Sequence, residues 1–141
     1  MKVRVVIDTN VIISGILSPR NYPAQILDAW LKGICFQPLI SSALKTEIIE
    51  VLKRPKIMVR IANRSDLDAL LPLLFAKAEM VKPKKIKAVV FKDKKDHFLF
   101  ELASSGSAEA IITGDDILVR QKKIAEVELL TPKEFCERFQ I

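Results

Sequence analysis

The chain of 141 residues is poor in several things that would otherwise suggest a function. Its two cysteines, Cys35 and Cys136, lie far apart in sequence, form no CxxC pair and sit beside Phe36 and Phe135, so both read as plain reduced thiols. With one histidine, His97, there is no multiple-His or Cys cluster of the kind zinc selects. No stretch of about 18 uninterrupted apolar residues occurs, which argues against a membrane-spanning helix. The apolar start of the chain could imitate a signal peptide, but Asp8 interrupts it and no small-residue cleavage pattern follows, so a cytoplasmic location is expected. Repeats, low-complexity tracts and linkers are absent, and one domain over residues 1–141 is the expectation.

What is present is a half-apolar chain with a concentrated charge excess. The segment 82–95, "KPKKIKAVVFKDKK", holds seven Lys and one Asp, and its +6 equals the net charge of the whole chain. Such a run is either a solvated loop or a segment that meets a polyanion, since lysines near phosphates release counterions.

Hydrophobic periodicity alternates short strands with helices. Strands are predicted at 2–7, 34–40, 79–81, 108–113 and 127–130. Helices are predicted at 11–17, 24–32, 41–54, 56–62, 65–78, 96–104 and 115–121, with a last one from Thr131-Pro132. Ser65 is the expected cap of the helix over 65–78, and 18–23 reads as a loop. The pattern points to a single α/β domain with a mostly parallel sheet of about five strands, covered by helices on both faces. Function in such sheets gathers outside the carboxyl ends of the strands.

Acidic residues fall at those ends. In "VVIDTNVII" Asp8 follows the first strand, and in "IITGDD" Asp115 follows the fourth, so both are expected on one rim and face each other if those strands are neighbours. Asp96 opens the helix leading into the fourth strand, on a rim the sequence leaves open. Glu47 borders the apolar stripe of Leu44, Ile48 and Leu52, an unusual place for a carboxylate. Taken singly, Asp8, Asp96 and Asp115 are each explicable as helix caps.

The stretches "VIDTNVIISGIL", "ALKTEIIEVLKRPK", "DKKDHFLFELA", "AIITGDD" and "LLTPKEF" follow one another between Val3 and Phe135. In this ordered set the chain resembles the PIN-domain family, in the VapC-like branch described as toxin components of toxin–antitoxin pairs. The resemblance implies a three-layer α/β/α fold, a nuclease dependent on Mg²⁺ or Mn²⁺ that acts mostly on RNA, a homodimer and a cognate antitoxin as partner. It places the family's four acidic positions on Asp8, Glu47, Asp96 and Asp115, an additional acidic residue on Asp93, the hydroxyl near the fourth carboxylate on Thr113, and the polar residue after the first on Asn10. Two departures stand out: Lys95 precedes Asp96 where relatives tend to carry an acidic pair, and Asp116-Ile117 follows Asp115 where a second Asp commonly comes one residue later.

Four carboxylates brought together would repel one another, and a divalent cation relieves that conflict. Mg²⁺ takes hard oxygen ligands, matching this set. Asp8 and Asp96 are then the expected direct ligands, with Asp115 and Glu47 completing the shell. Thr9, Ser14 and Thr113 would orient water or fix loop geometry. His97 projects about 100° around its helix from Asp96 and is expected to face solvent. Because the lysine-rich segment leads into Asp96, Lys92, Lys94 and Lys95 become expected RNA contacts. Two alternatives stay open. One is a phosphoryl-transfer enzyme of similar architecture, although a dehalogenase-type phosphatase needs Asp where Asn10 stands. The other is a non-catalytic RNA-binding or partner-binding relative.

Overall fold

The computed structural model describes residues 2–85 and 94–141, with Lys94 and Lys95 described in backbone only. Its elements run β1 (Val3–Ile7), α1 (Thr9–Leu17), α2 (Tyr22–Lys32), β2 (Phe36–Ile40), α3 (Ser42–Leu52), α4 (Pro55–Met58), α5 (Arg64–Lys77), β3 (Glu79–Met80), α6 (Lys94–Ser105), β4 (Ala110–Ile112), α7 (Asp116–Val119), β5 (Lys123–Ile124), β6 (Val127–Leu130) and α8 (Pro132–Phe139). Among the described residues no helix is long and apolar enough to cross a membrane.

The strands form one sheet in the order β3-β2-β1-β4-β6-β5. All neighbours are parallel except the β5–β6 hairpin. Val5, Val6 and Ile7 are all buried, so the central strand is covered on both faces, as a parallel sheet requires. From β1 the chain winds through α1–α5 toward β3, then returns past β1 through α6 to β4. Right-handed crossovers in opposite lateral directions put α6 on the face opposite α1–α5, giving three layers. Asp8 and Thr113 follow the paired ends Ile7 and Ile112, and that β1–β4 junction is the switch point of the sheet.

A few specific contacts fix the layers. Trp30 is buried, and its indole N–H donates to Leu74 O at 2.9 Å, pinning α2 to α5. A Cβ at Gly15 would come within 2.8 Å of Pro23 O and 2.7 Å of Leu27 Cδ1, so only glycine lets α1 approach α2 this closely. Arg4 donates to both carboxylate oxygens of Glu79, at 2.9 and 2.6 Å, and to Gly106 O at 2.8 Å. That fork joins β1, β3 and the end of α6. The Arg4 guanidinium holds the Glu79 carboxyl below its ordinary range, chiefly through the hydrogen bond. Both cysteines are free, Cys136 buried and Cys35 exposed, and burial pushes the Cys136 thiol up.

Four expectations need correction. The sheet has six strands, because residues 123–124 form β5. Helix α2 begins inside the expected loop: Asn21 accepts from Ala24 N–H at 2.8 Å, and Pro23 sits in the first turn, where a missing N–H costs nothing. Asn63 rather than Ser65 caps α5, accepting from Asp66 N–H at 3.1 Å, and the helix expected over 56–62 is the single turn α4.

Candidate active site

The site is built outward from Asp8. Its backbone extends the ladder, donating from N–H to Ile112 O at 2.9 Å, and its carbonyl accepts the first helical bonds of α1, from Val11 and Ile12. The position is that of a helix cap, yet the side chain makes no cap bond. Instead the carboxylate, 2 % exposed, turns along the rim: Oδ2 accepts from the Thr113 hydroxyl at 2.9 Å and from the Asn10 amide at 3.2 Å. The expected capping explanation of Asp8 therefore fails for its side chain.

The loop after β4 is tied into the same network. The fully buried Thr113 donates to Asp8 while its oxygen accepts from Asp115 N–H at 3.1 Å. Asn10 Oδ1 accepts from Gly114 N–H at 3.3 Å, so the Asn10 side chain bridges the two loops, its amide on Asp8 and its carbonyl on Gly114. Asp115 does cap its helix: Oδ1 accepts from Ile117 N–H at 2.9 Å and Leu118 N–H at 3.3 Å. Both bonds fall on one oxygen. The Asp8 carboxylate and the Asp115 backbone N–H are thus linked through a single hydroxyl.

Glu47 and Asp96 approach the rim from opposite layers. Glu47 is half-buried on α3 and shares the wall of a cavity with Thr9 and Asn10, the two residues that follow Asp8. Asp96 is half-buried in the first turn of α6. The last turn of that helix is fixed at the opposite rim, where Gly106 O accepts from Arg4 and Glu109 N–H donates to Arg4 O. Because twelve residues of helix rise about 18 Å, more than the three residues of β4 extend, Asp96 stands at the carboxyl rim. Among the described residues no three Asp, Glu, His or Cys side chains are gathered closely enough to enclose a metal ion.

His97 departs from expectation: its side chain is 32 % exposed, and Nε2 lies 3.2 Å from Glu101 Oε1 one turn down the helix, so it does not simply face solvent. Of the remaining expected residues, Lys92 and Asp93 lie outside the described residues, and Lys94 and Lys95 open α6 with side chains outside them. Thr9 Oγ1 is buried with no hydrogen-bond partner among the described residues. Sequence reasoning missed Arg54 and Arg60, which line the same cavity as Glu47. No pattern in the sequence marked them, since Arg54 lies between α3 and α4 and Arg60 just past α4, outside any helical periodicity.

In chemistry the donors suit a hard cation. Asp8, Asp115, Glu47 and Asp96 offer only carboxylate oxygens, and no thiol or imidazole cluster competes for a softer metal. Thr113 and Asn10, both neutral donors, orient the Asp8 carboxylate.

A family model described as a PIN domain matches residues 4–116. The uncharacterized protein MJ1680 of Methanocaldococcus jannaschii is 30% identical over 148 aligned positions, covering 99% of this chain and 94% of that protein.

Proposed function

The chain belongs to the PIN-domain family, with its nuclease-type fold, and on that premise we propose that it is a divalent-metal-dependent ribonuclease hydrolysing RNA phosphodiester bonds. The observation that carries the proposal is the buried Asp8 carboxylate at the switch point, held by Thr113 and Asn10 rather than spent on capping. A structural acid would have no need to be turned from its helix into the rim.

In this reading Asp8, Asp96, Asp115 and Glu47 hold Mg²⁺ or Mn²⁺, which when bound supplies Lewis-acid stabilisation of charge at the scissile phosphate and an acidified water. Asp8 is the fixed member, because Asn10 and Thr113 restrain its carboxylate before any ligand arrives. Thr113 and Asn10 also restrain the loop that carries Asp115, setting the spacing of the two carboxylates. Lys92, Lys94 and Lys95 supply positive charge to the RNA backbone, and Asp93 supports the acidic set. Covalent catalysis is not invoked.

The same proposal makes this chain the toxin of a toxin–antitoxin pair, homodimeric and bound by a cognate antitoxin. Light scattering of the purified protein and co-purification with the product of an adjoining small reading frame test those two partners. The central experiment is cleavage of structured and unstructured RNAs with Mg²⁺ or Mn²⁺ by wild type and Asp8→Asn. Metal-dependent cleavage by the wild type alone supports the proposal; equal cleavage by both, or by neither with any RNA and metal, removes it. RNA binding without cleavage would instead favour the non-catalytic reading.

A further inference from the structure

The cavity beside the site has a second polar end that the proposed chemistry does not use. It has a volume of about 340 Å³ and lies between α1, α3 and α4. Along α3, Glu47 and Val51 follow at i and i+4 and line it together, while Arg54, between the end of α3 and the start of α4, and Arg60, just past α4, line it farther along the chain. Along α1, Thr9, Ile13 and Leu17 follow at i, i+4 and i+8. The cavity is therefore a trough, carboxylate and hydroxyls at the rim end, aliphatic side chains in the middle, and Arg54 with Arg60 beyond.

Two features call for a ligand. Neither the Arg54 nor the Arg60 guanidinium makes an ion pair or hydrogen bond with any described residue, although that fork suits carboxylate or phosphate. At the other end Thr9, 2 % exposed, has no hydrogen-bond partner for its hydroxyl among the described residues, a state that is costly unless something else bonds it.

On the nuclease reading above, we infer that this trough seats the nucleotide adjoining the scissile phosphate of a single-stranded RNA, with base and ribose on Ile13, Leu17, Val51 and Ile57 and the next phosphate held by Arg54 and Arg60. The charge fits: two cations with no ion-pair partner among the described residues stand beside a site whose reactants are phosphates. So does the size, since the volume is near the lower bound of small-ligand pockets, about 300 Å³, and admits one splayed-out nucleotide but not a double helix. The apolar middle accounts for what a pure phosphate site would lack, a surface on which a base can rest.

The test measures binding apart from cleavage. Fluorescence anisotropy of a twelve-nucleotide single-stranded RNA, in EDTA, compares wild type with Arg54→Gln/Arg60→Gln and with Lys32→Gln/Lys133→Gln, which removes the same charge from α2 and α8. Folding of each is checked by circular dichroism. The arginine variant is expected to bind about tenfold more weakly and to lose about 0.7 from the slope of log K against log salt, the value for one phosphate contact on a single strand. The lysine variant should stay close to wild type. Ile57→Val keeps the fold in reserve as a milder probe, weakening binding severalfold without altering the salt slope. Equal losses in both charge variants, or no loss in either, would overturn the inference, including the case in which the trough instead receives a protein segment. Cleavage by wild type with no loss in the arginine variant sinks this subsite while the nuclease reading stands. Loss of binding in the arginine variant, with no cleavage by wild type under any metal, sinks the nuclease reading and leaves the subsite.

Discussion

The Thr113 hydroxyl donates to Asp8 Oδ2 at 2.9 Å while accepting from the N–H of Asp115 at 3.1 Å, joining two residues 105 positions apart to a third. Thr113→Val preserves the side chain's shape and removes both bonds. We expect a loss of about 1–3 kcal/mol in stability, because the buried carboxylate and the N–H each lose a partner. Thr113→Ser should recover most of it. Urea unfolding of the three proteins measures the difference, and a Val variant as stable as wild type would show that the bridge carries no weight.

Asp115 has two roles that substitution can separate. Asn keeps an oxygen for Ile117 and Leu118, whereas Ala removes the cap. Asp115→Ala should lose about 1 kcal/mol of stability and Asp115→Asn only a few tenths. Both are expected to lower metal-dependent cleavage at least tenfold. An Asn variant with wild-type activity would confine Asp115 to capping.

Metal affinity should register as stability. Because a ligand that binds only the folded state raises its unfolding free energy, wild type is expected to gain thermal stability in millimolar Mn²⁺ or Mg²⁺. At a concentration near 100 times Kd the gain is about 2.7 kcal/mol. Asp8→Asn should lose that gain while melting normally without metal. Scanning calorimetry with and without the ion decides it, and an equal gain in both proteins would place the metal elsewhere.

The pH dependence of the Arg4–Glu79 pair has a fixed sign. Arg4 lowers the folded-state pKa of Glu79 below its ordinary value of 4.5. A depressed carboxyl contributes stability that is present above the unfolded pKa and disappears as pH falls through the folded one. Glu79→Gln should therefore be less stable than wild type at pH 7, by no more than about 1 kcal/mol because the pair is partly exposed. The gap should close as pH falls below about 4.5. A gap that persists unchanged at pH 3 would assign the effect to packing.

Local chemistry made Asp8 and Asp115 legible, since each ends an apolar strand run and precedes a helix. That the two strands are neighbours is a tertiary fact, supplied by the pairing of Ile7 with Ile112. The rim occupied by Asp96 likewise needed the anchor between Arg4 and Gly106 at the far end of α6. The β5 hairpin escaped because its positive-φ positions are Lys122, Ala125 and Glu126 rather than the Gly or Asn that announce a tight turn. Arg54 and Arg60 were invisible as site residues because nothing in a helical wheel places α4 across α3. Asn10 could be matched to a family position, but its bridge to Gly114 depends on where the second loop lies.

The Asp8 backbone N–H is the last rung of the β1–β4 ladder, and its side chain is clasped by the residue that follows β4. Sliding β4 by one residue would set Ile112 or Gly114 opposite Asp8, and neither has a hydroxyl to offer. Correct sheet register and an assembled site are therefore one cooperative event. A slipped or half-folded chain could keep most of its helices and still be inert, so the sheet acts as a proofreader of the protein's own potency.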